Sequence, residues 1–221
     1  MLILVTVAAA HAQLISEKTD NKLTVNFDVF QDFQLKPNDN WKAGKFNPGF
    51  STALTYNLPL GNSEKHTVGV GLGISTHNYY SSSVIKNPYA SSLTFTQHAD
   101  DKNFNRYKVN PTYAEVPLEL RFRFNDAWKV GVGFKFGILL SAKTKEVYKA
   151  IADEGSDNKV KITEKYCNIK NIERYSYAAT LRVGYKWVSA YASLQFSRVF
   201  TAGTNGPEIM PLTVGLSFAP F

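Results

Sequence analysis

Apolar and polar side chains alternate strictly from Ala114 to Ile138, in two runs joined by a tight turn at 125–127. In the first, Ala114, Val116, Leu118, Leu120, Phe122 and Phe124 interleave with Glu115, Pro117, Glu119, Arg121 and Arg123. In the second, Trp128, Val130, Val132, Phe134, Phe136 and Ile138 interleave with Lys129, Gly131, Gly133, Lys135 and Gly137. A period of two puts neighbouring side chains on opposite faces of a sheet, so each predicted strand has one oily face and one of charge and glycine. An unbroken, aromatic-capped apolar face fits strands whose outer side meets lipid.

The same alternation predicts strands at about 22–33, 49–58, 66–79, 114–124, 128–138, 174–187, 188–200 and 212–218. Each is long enough, at about ten residues, to cross a bilayer at a tilt. The connections alternate as well. They are short at 59–65, at 125–127 and near Trp187, and long at 34–48, 80–110, 143–173 and 201–208. The predicted fold is all-β: an eight-stranded antiparallel up-and-down transmembrane β-barrel with short periplasmic turns, longer extracellular loops and both termini periplasmic. The turn at Lys186-Trp187 lacks the Gly or Asn that tight hairpins favour. Phe124, Trp128, Tyr185 and Trp187 are expected in a periplasmic aromatic belt, and Tyr113, Tyr175 and Phe196 in the opposite one.

Composition narrows this picture. Aromatic residues make up 14% of the 221 and charged residues only 19%, as suits a one-domain all-β chain. No apolar run approaches the roughly 20 residues of a spanning helix. Residues 1–12 are expected to be a signal peptide, with apolar residues from Leu2 to Ala10 and cleavage after Ala12, leaving a barrel domain at 13–221. No Lys or Arg precedes the apolar run, which suits an N-terminally shortened signal. Cys167, the only cysteine, is expected in a loop; alone it makes neither an intramolecular disulfide nor a cysteine metal site. The net charge of +7 comes without a basic helix, so nucleic acid is not an expected partner. The excess cations are assigned to the barrel interior and to anionic lipid headgroups.

Eight strands enclose a lumen that side chains fill. The inward-facing Asp28, Glu115, Glu119, Arg121, Arg123, Lys129, Lys135, Arg182 and Lys186 are expected to form an interior charge network, because buried charge must be paired. The glycines of the third and fifth predicted strands would leave room for those long side chains. The Gly-x-Gly repeats at 69–73 and 131–133 open no helix and are not a dinucleotide fingerprint. His77, with Ser75 and Ser81-Ser82-Ser83 nearby, is the one constellation offering a nucleophile and a base. The preferred reading is a rim histidine beside a serine-rich loop. His66, His77 and His98 would need two long segments to converge before they bound a metal, so no catalytic, metal or cofactor site is expected.

The segment Tyr113-Ala114-Glu115-Val116-Pro117-Leu118-Glu119-Leu120-Arg121-Phe122 resembles the Tyr-x-Glu-(Ile/Val)-Pro-Leu-x-Leu strand of the PorT-like outer-membrane β-barrel family of Bacteroidetes. The strand from Gly131 to Gly137 fits that family too, and the likeness runs loosely over 22–218. It implies an outer-membrane barrel and, through the family's namesake, the type IX secretion pathway. Pro117 within a closed sheet implies a bulge or a missing ladder bond. Barrels of this kind usually end in an aromatic assembly signal. Here Phe218 and Phe221 are the candidates, and Phe221 shares the inward parity of Gly215 and Ser217.

These readings converge on a non-enzymatic outer-membrane protein of a Gram-negative bacterium, a structural or accessory component of the cell envelope that acts through its loops and turns. Its expected partners are outer-membrane lipid, lipopolysaccharide, the β-barrel assembly machinery and secretion or envelope proteins. Aromatic residues between 79 and 107 favour contact with a partner or lipopolysaccharide, and charged Lys143–Glu173 suits either a solvated flap or a partner surface. The rivals are a lipid-modifying outer-membrane enzyme, a small-solute pore and a soluble lipocalin-like carrier.

Overall fold

The computed structural model describes residues 22–61, 63–98, 103–124, 127–151 and 159–219. The expected signal peptide, the turn residue Asn125, the loop acids Asp153, Glu154 and Asp157, and Phe221 lie outside the described residues. In chain order the strands are β1 (Leu23–Leu35), β2 (Pro48–Leu60), β3 (Ser63–Thr76), β4 (Tyr79–Ser81), β5 (Ser83–Ile85), β6 (Phe95–Gln97), β7 (Phe104–Phe124), β8 (Trp128–Ile151), β9 (Lys159–Cys167), β10 (Tyr175–Tyr185), β11 (Val188–Gln195) and β12 (Met210–Phe218). Hydrogen bonding runs β7-β3-β2-β1-β12-β11-β10-β8, and β8 pairs back to β7. The eight-stranded antiparallel barrel is therefore closed, with no free edge in the ring.

Closure explains the patterning. Outward residues such as Val29, Leu54, Leu72, Leu118, Phe134, Leu181 and Leu216 stay exposed, while Asp28, Ser51, Thr55, Ser75, Glu115, Glu119, Ser193 and Ser217 are buried inside. A water-soluble sheet protein would show the reverse. The main cluster of buried apolar residues lies instead at the long-loop end, where Trp41, Tyr79, Val84, Leu93, Tyr107, Val109, Phe200 and Ile209 pack together.

The loops differ most from expectation. β7 and β8 do not stop at the barrel rim: they continue as one twisted hairpin, with β4 added on one side and β9 on the other. The stretch beyond Ala142 adds about 30 Å of strand at the usual rise. The segment 143–173 is thus largely β8 and β9 rather than a flap, and Cys167 closes β9 rather than sitting in a loop. Residues 80–110 likewise hold β5, β6 and the start of β7. Their charge content hid strand-forming positions such as Thr144, Val147, Tyr148, Ile162 and Tyr166, which pairing with a neighbour stabilises. β3 ends at Thr76 and β11 at Gln195, short of the expected 79 and 200.

Two local features sharpen the sheet. At Pro117 the β3–β7 ladder passes from Val70↔Leu118 to Gly73↔Glu115 without the two intervening pairs, yet keeps its register. The ring nitrogen has no hydrogen to donate, so a ladder bond is lost without a bulge. A one-residue register shift does occur, between Thr112 and Tyr113. At the opposite end β10 turns into β11 through Lys186 and Trp187, with Lys186 at φ 52° and its N–H donating to the Ala127 carbonyl at 2.7 Å.

Candidate functional site

The lumen is filled by ion pairs, some within or between neighbouring strands and some reaching across it. Arg182 on β10 donates to Asp28 Oδ2 on β1 at 2.8 Å and to Glu119 on β7. Arg121 donates to Glu119 Oε1 at 2.6 Å, to Asn57 Oδ1 at 2.6 Å and to Thr55 Oγ1 at 3.0 Å. One layer further along, Lys135 Nζ lies 3.0 Å from Glu115 Oε1, which also accepts from Ser75 Oγ at 2.7 Å. Ser51 Oγ donates to Asp28 Oδ2 at 2.8 Å, and the Arg182 guanidinium sits 4.5 Å from the ring centroid of Tyr191.

Glycine makes the room. A Cβ at Gly131 would lie 2.8 Å from Glu119 Oε1, and one at Gly69 3.1 Å from the Arg121 guanidinium carbon. Small residues opposite long ones let charged side chains reach across a narrow lumen instead of standing off its wall.

Of the residues expected inside, Asp28, Glu115, Glu119, Arg121, Lys135 and Arg182 are joined in this network. Lys129 and Arg123 instead line a hollow open to solvent at the short-turn end, bounded by Glu119, Arg121 and Arg182. Lys186 is excluded from the interior. The strand ends at Tyr185, and Lys186 is exposed in the turn with its ammonium 5.5 Å over the Tyr185 ring.

Phe124, Trp128, Tyr185 and Trp187 are all about half exposed on the outer face at that end, with Trp128 against Tyr185 and Trp187 against Phe218. Tyr175 and Phe196 are exposed on the outer face towards the other end. Tyr113 is not among them. It shares the inward parity of Glu115, is buried, and donates through its hydroxyl to the Glu173 carbonyl at 3.3 Å.

His77 follows the end of β3 at the long-loop rim, but it does not face solvent. It is buried, with Nδ1 2.7 Å from Oδ2 of the fully buried Asp32, whose Oδ1 accepts from Thr213 Oγ1 at 2.6 Å. Tyr79 stacks on one side of the imidazole and Phe30 packs near it. The serines near it in sequence are engaged elsewhere: Ser75 with Glu115, and Ser81 and Ser83 with the Lys42 backbone. Sequence reasoning missed Asp32, although its spacing of four from Asp28 puts it on the same inward face. Among the described residues no group of three or more His, Cys, Asp or Glu side chains could hold a metal ion.

The long-loop end is a compact head. Trp41 is its centre, in edge contact with Phe95, Tyr107 and Phe200, its indole N–H donating to Gln34 at 2.7 Å. The aromatic residues at 79–107 are largely consumed here: Tyr79 and Tyr107 are fully buried, whereas Tyr89 stays exposed. Burial raises the Tyr79 and Tyr107 hydroxyls above the usual tyrosine range.

On the extended hairpin charge is sorted by face. Lys108 stands opposite Lys145 and Lys145 opposite Lys165, while Glu146 faces Glu164 on the other side. Partial burial, then Lys145 and Arg106, lowers the Lys108 ammonium from its ordinary value. Burial, then Glu164, raises the Glu146 carboxyl. Glu164 itself accepts from the hydroxyls of Tyr148 at 2.6 Å and Tyr166 at 3.0 Å.

Residues 15–204 match the family described as an outer membrane protein beta-barrel domain, and the chain belongs to that family. The barrel therefore sits in the outer membrane, with its long-loop head outside the cell and its short turns in the periplasm. No curated protein matches it. Among solved structures it is similar to Ail, the attachment invasion locus protein of Yersinia pestis, crystallised with the heparin analogue sucrose octasulfate, at 14% identity over 90% of this chain and 97% of that one, with a TM-score of 0.42. A Rhodopseudomonas blastica porin mutant is more distant, at 10% identity over 89% of this chain and 99% of that one, with a TM-score of 0.20.

Proposed function

We propose that this chain is a non-enzymatic, structural or accessory component of the cell envelope whose working part is the extracellular head rather than the lumen. One observation carries the reading: the barrel interior is spanned by ion pairs, while the buried apolar residues, Trp41 foremost, hold the loops in one shape above the membrane. A lumen crossed by Arg182 and Arg121 leaves little path for solute, and an ordered head is suited to holding a partner. The resemblance to PorT-like barrels points to a secretion or envelope-assembly complex as that partner, with type IX secretion the specific form of the proposal.

Cross-linking and affinity purification of the tagged protein from native outer membranes tests this. Recovery of secretion or envelope-assembly proteins in fixed ratio is the expected result; recovery of the barrel alone would overturn a stable-complex role. The buried His77–Asp32 pair favours a second reading, a lipid-modifying enzyme. That reading requires lipid or lipopolysaccharide composition, read by mass spectrometry, to change when His77→Ala replaces the wild type.

A further inference from the structure

The outward face of the hairpin changes character just above the membrane. On β7 the outward residues run from Val116, Leu118 and Leu120, all exposed to lipid, up to Lys108 and Arg106. On β8 they are Phe134, Ile138 and Leu140 within the membrane. The register shift at Thr112/Tyr113 then moves the outward positions by one residue. Above it Ala142 and Thr144 are buried and Lys143 is exposed. One bulge thus turns the apolar wall into a cationic one without a break in the sheet.

The cations on that wall oppose one another. Lys108, Lys145 and Lys165 form a row across three strands, and Lys149 stands opposite Lys161. Adjacent strands lie only about 4.8 Å apart, and like charges directly opposite destabilise a sheet. The register puts no Asp or Glu on this face among the described residues of β7, β8 and β9. Glu146 and Glu164 are on the other face. Lys108 Nζ donates to the neutral Asn78 Oδ1 at 2.6 Å and lies 5.6 Å from the Tyr80 ring centroid; neither contact neutralises the charge of the row, which calls for anions from outside the chain.

We propose that this lysine wall docks the phosphate-bearing headgroup and inner sugars of lipopolysaccharide in the outer leaflet. Position selects the occupant. Lys143 follows the lipid-exposed Leu140 by three residues, about 10 Å along the strand, which is where acyl chains give way to charged headgroups. The wall also continues the lipid-facing surface rather than the crown of the head, so its natural neighbour is a membrane-borne anion. Basic residues held at an anionic membrane surface each contribute attraction that falls off within the screening length.

The test uses the full chain purified in a zwitterionic detergent, probed with rough-type lipopolysaccharide, the same material enzymatically dephosphorylated, and dextran sulfate. The expected result is binding of the phosphorylated form, weakened on the order of 100-fold in Lys108→Ser/Lys145→Ser/Lys165→Ser and retained in the matching triple Lys→Arg variant. Without glycolipid the serine variant is expected to unfold at a higher temperature than the wild type, because the mutual repulsion is gone. Equal binding of dephosphorylated lipopolysaccharide by the wild type would overturn the proposal, and needs no variant to fold. Binding of dextran sulfate without binding of lipopolysaccharide would overturn it in favour of a soluble polyanion.

Discussion

Arg182 Nη2 lies 2.8 Å from Asp28 Oδ2, joining β10 to β1 across the inside of the barrel. The same guanidinium reaches Glu119 on a third strand, β7, and its Nε donates to Ser217 Oγ on β12 at 3.2 Å. One side chain thus ties four walls, and it is the residue on which the filled lumen depends.

Replacing it with an apolar side chain leaves the buried Asp28 carboxylate with Ser51 Oγ but without its cation, while Glu119 keeps Arg121. Arg182→Met is expected to destabilise the barrel by about 3–5 kcal/mol, measured by urea unfolding in detergent or by the temperature at which the folded band is lost on a gel. Adding Asp28→Asn should recover most of that loss, because the penalty belongs to the stranded charge and not to the missing contact.

Removal of Trp41 should separate head from barrel. Trp41→Ala empties the centre of the loop cluster and is expected to cost about 3–5 kcal/mol locally. Hydrogen exchange should then rise in β4, β5 and β6 while β10, β11 and β12 stay protected. A uniform rise across the barrel strands would mean that head and barrel fold as one unit.

Glu146 makes the hairpin sensitive to pH. Its folded-state proton affinity is raised, by burial and then by Glu164, so the folded hairpin holds a proton more tightly than the unfolded one. Stability must therefore be fullest below the ordinary carboxylate range and fall as pH rises through the raised value. Glu146→Gln should remove that dependence, with protease resistance of β8 and β9 matching wild type near pH 4 and exceeding it at neutral pH.

Asp32 is expected to matter for stability. Asp32→Ala leaves His77 Nδ1 and Thr213 Oγ1 without their acceptor in a buried site, at an expected cost of about 1–3 kcal/mol. Thermal unfolding in detergent reads it. A variant as stable as the wild type would show that solvent enters the site.

The barrel was legible because its rule is local. With lipid outside and paired charge inside, every crossing residue must obey a period of two, so Val116, Leu118 and Leu120 against Glu115, Glu119 and Arg121 reveal strand, face and network together. Parity alone also placed Asp28 and Arg182 inside, without pairing them, and would have found Asp32. Above the membrane no such rule operates: water accepts either face, charge and strand coexist in Lys143–Cys167, and an extended hairpin reads like a loop. Whether Trp41 meets Phe200, whether Lys108 stands beside Lys145 and Lys165, and where one bulge flips the outward face of β8 depend on register between segments far apart in sequence. Those relations exist only once the ring has closed, because ring closure and the shift at Thr112/Tyr113 set the register of the lysine row above it.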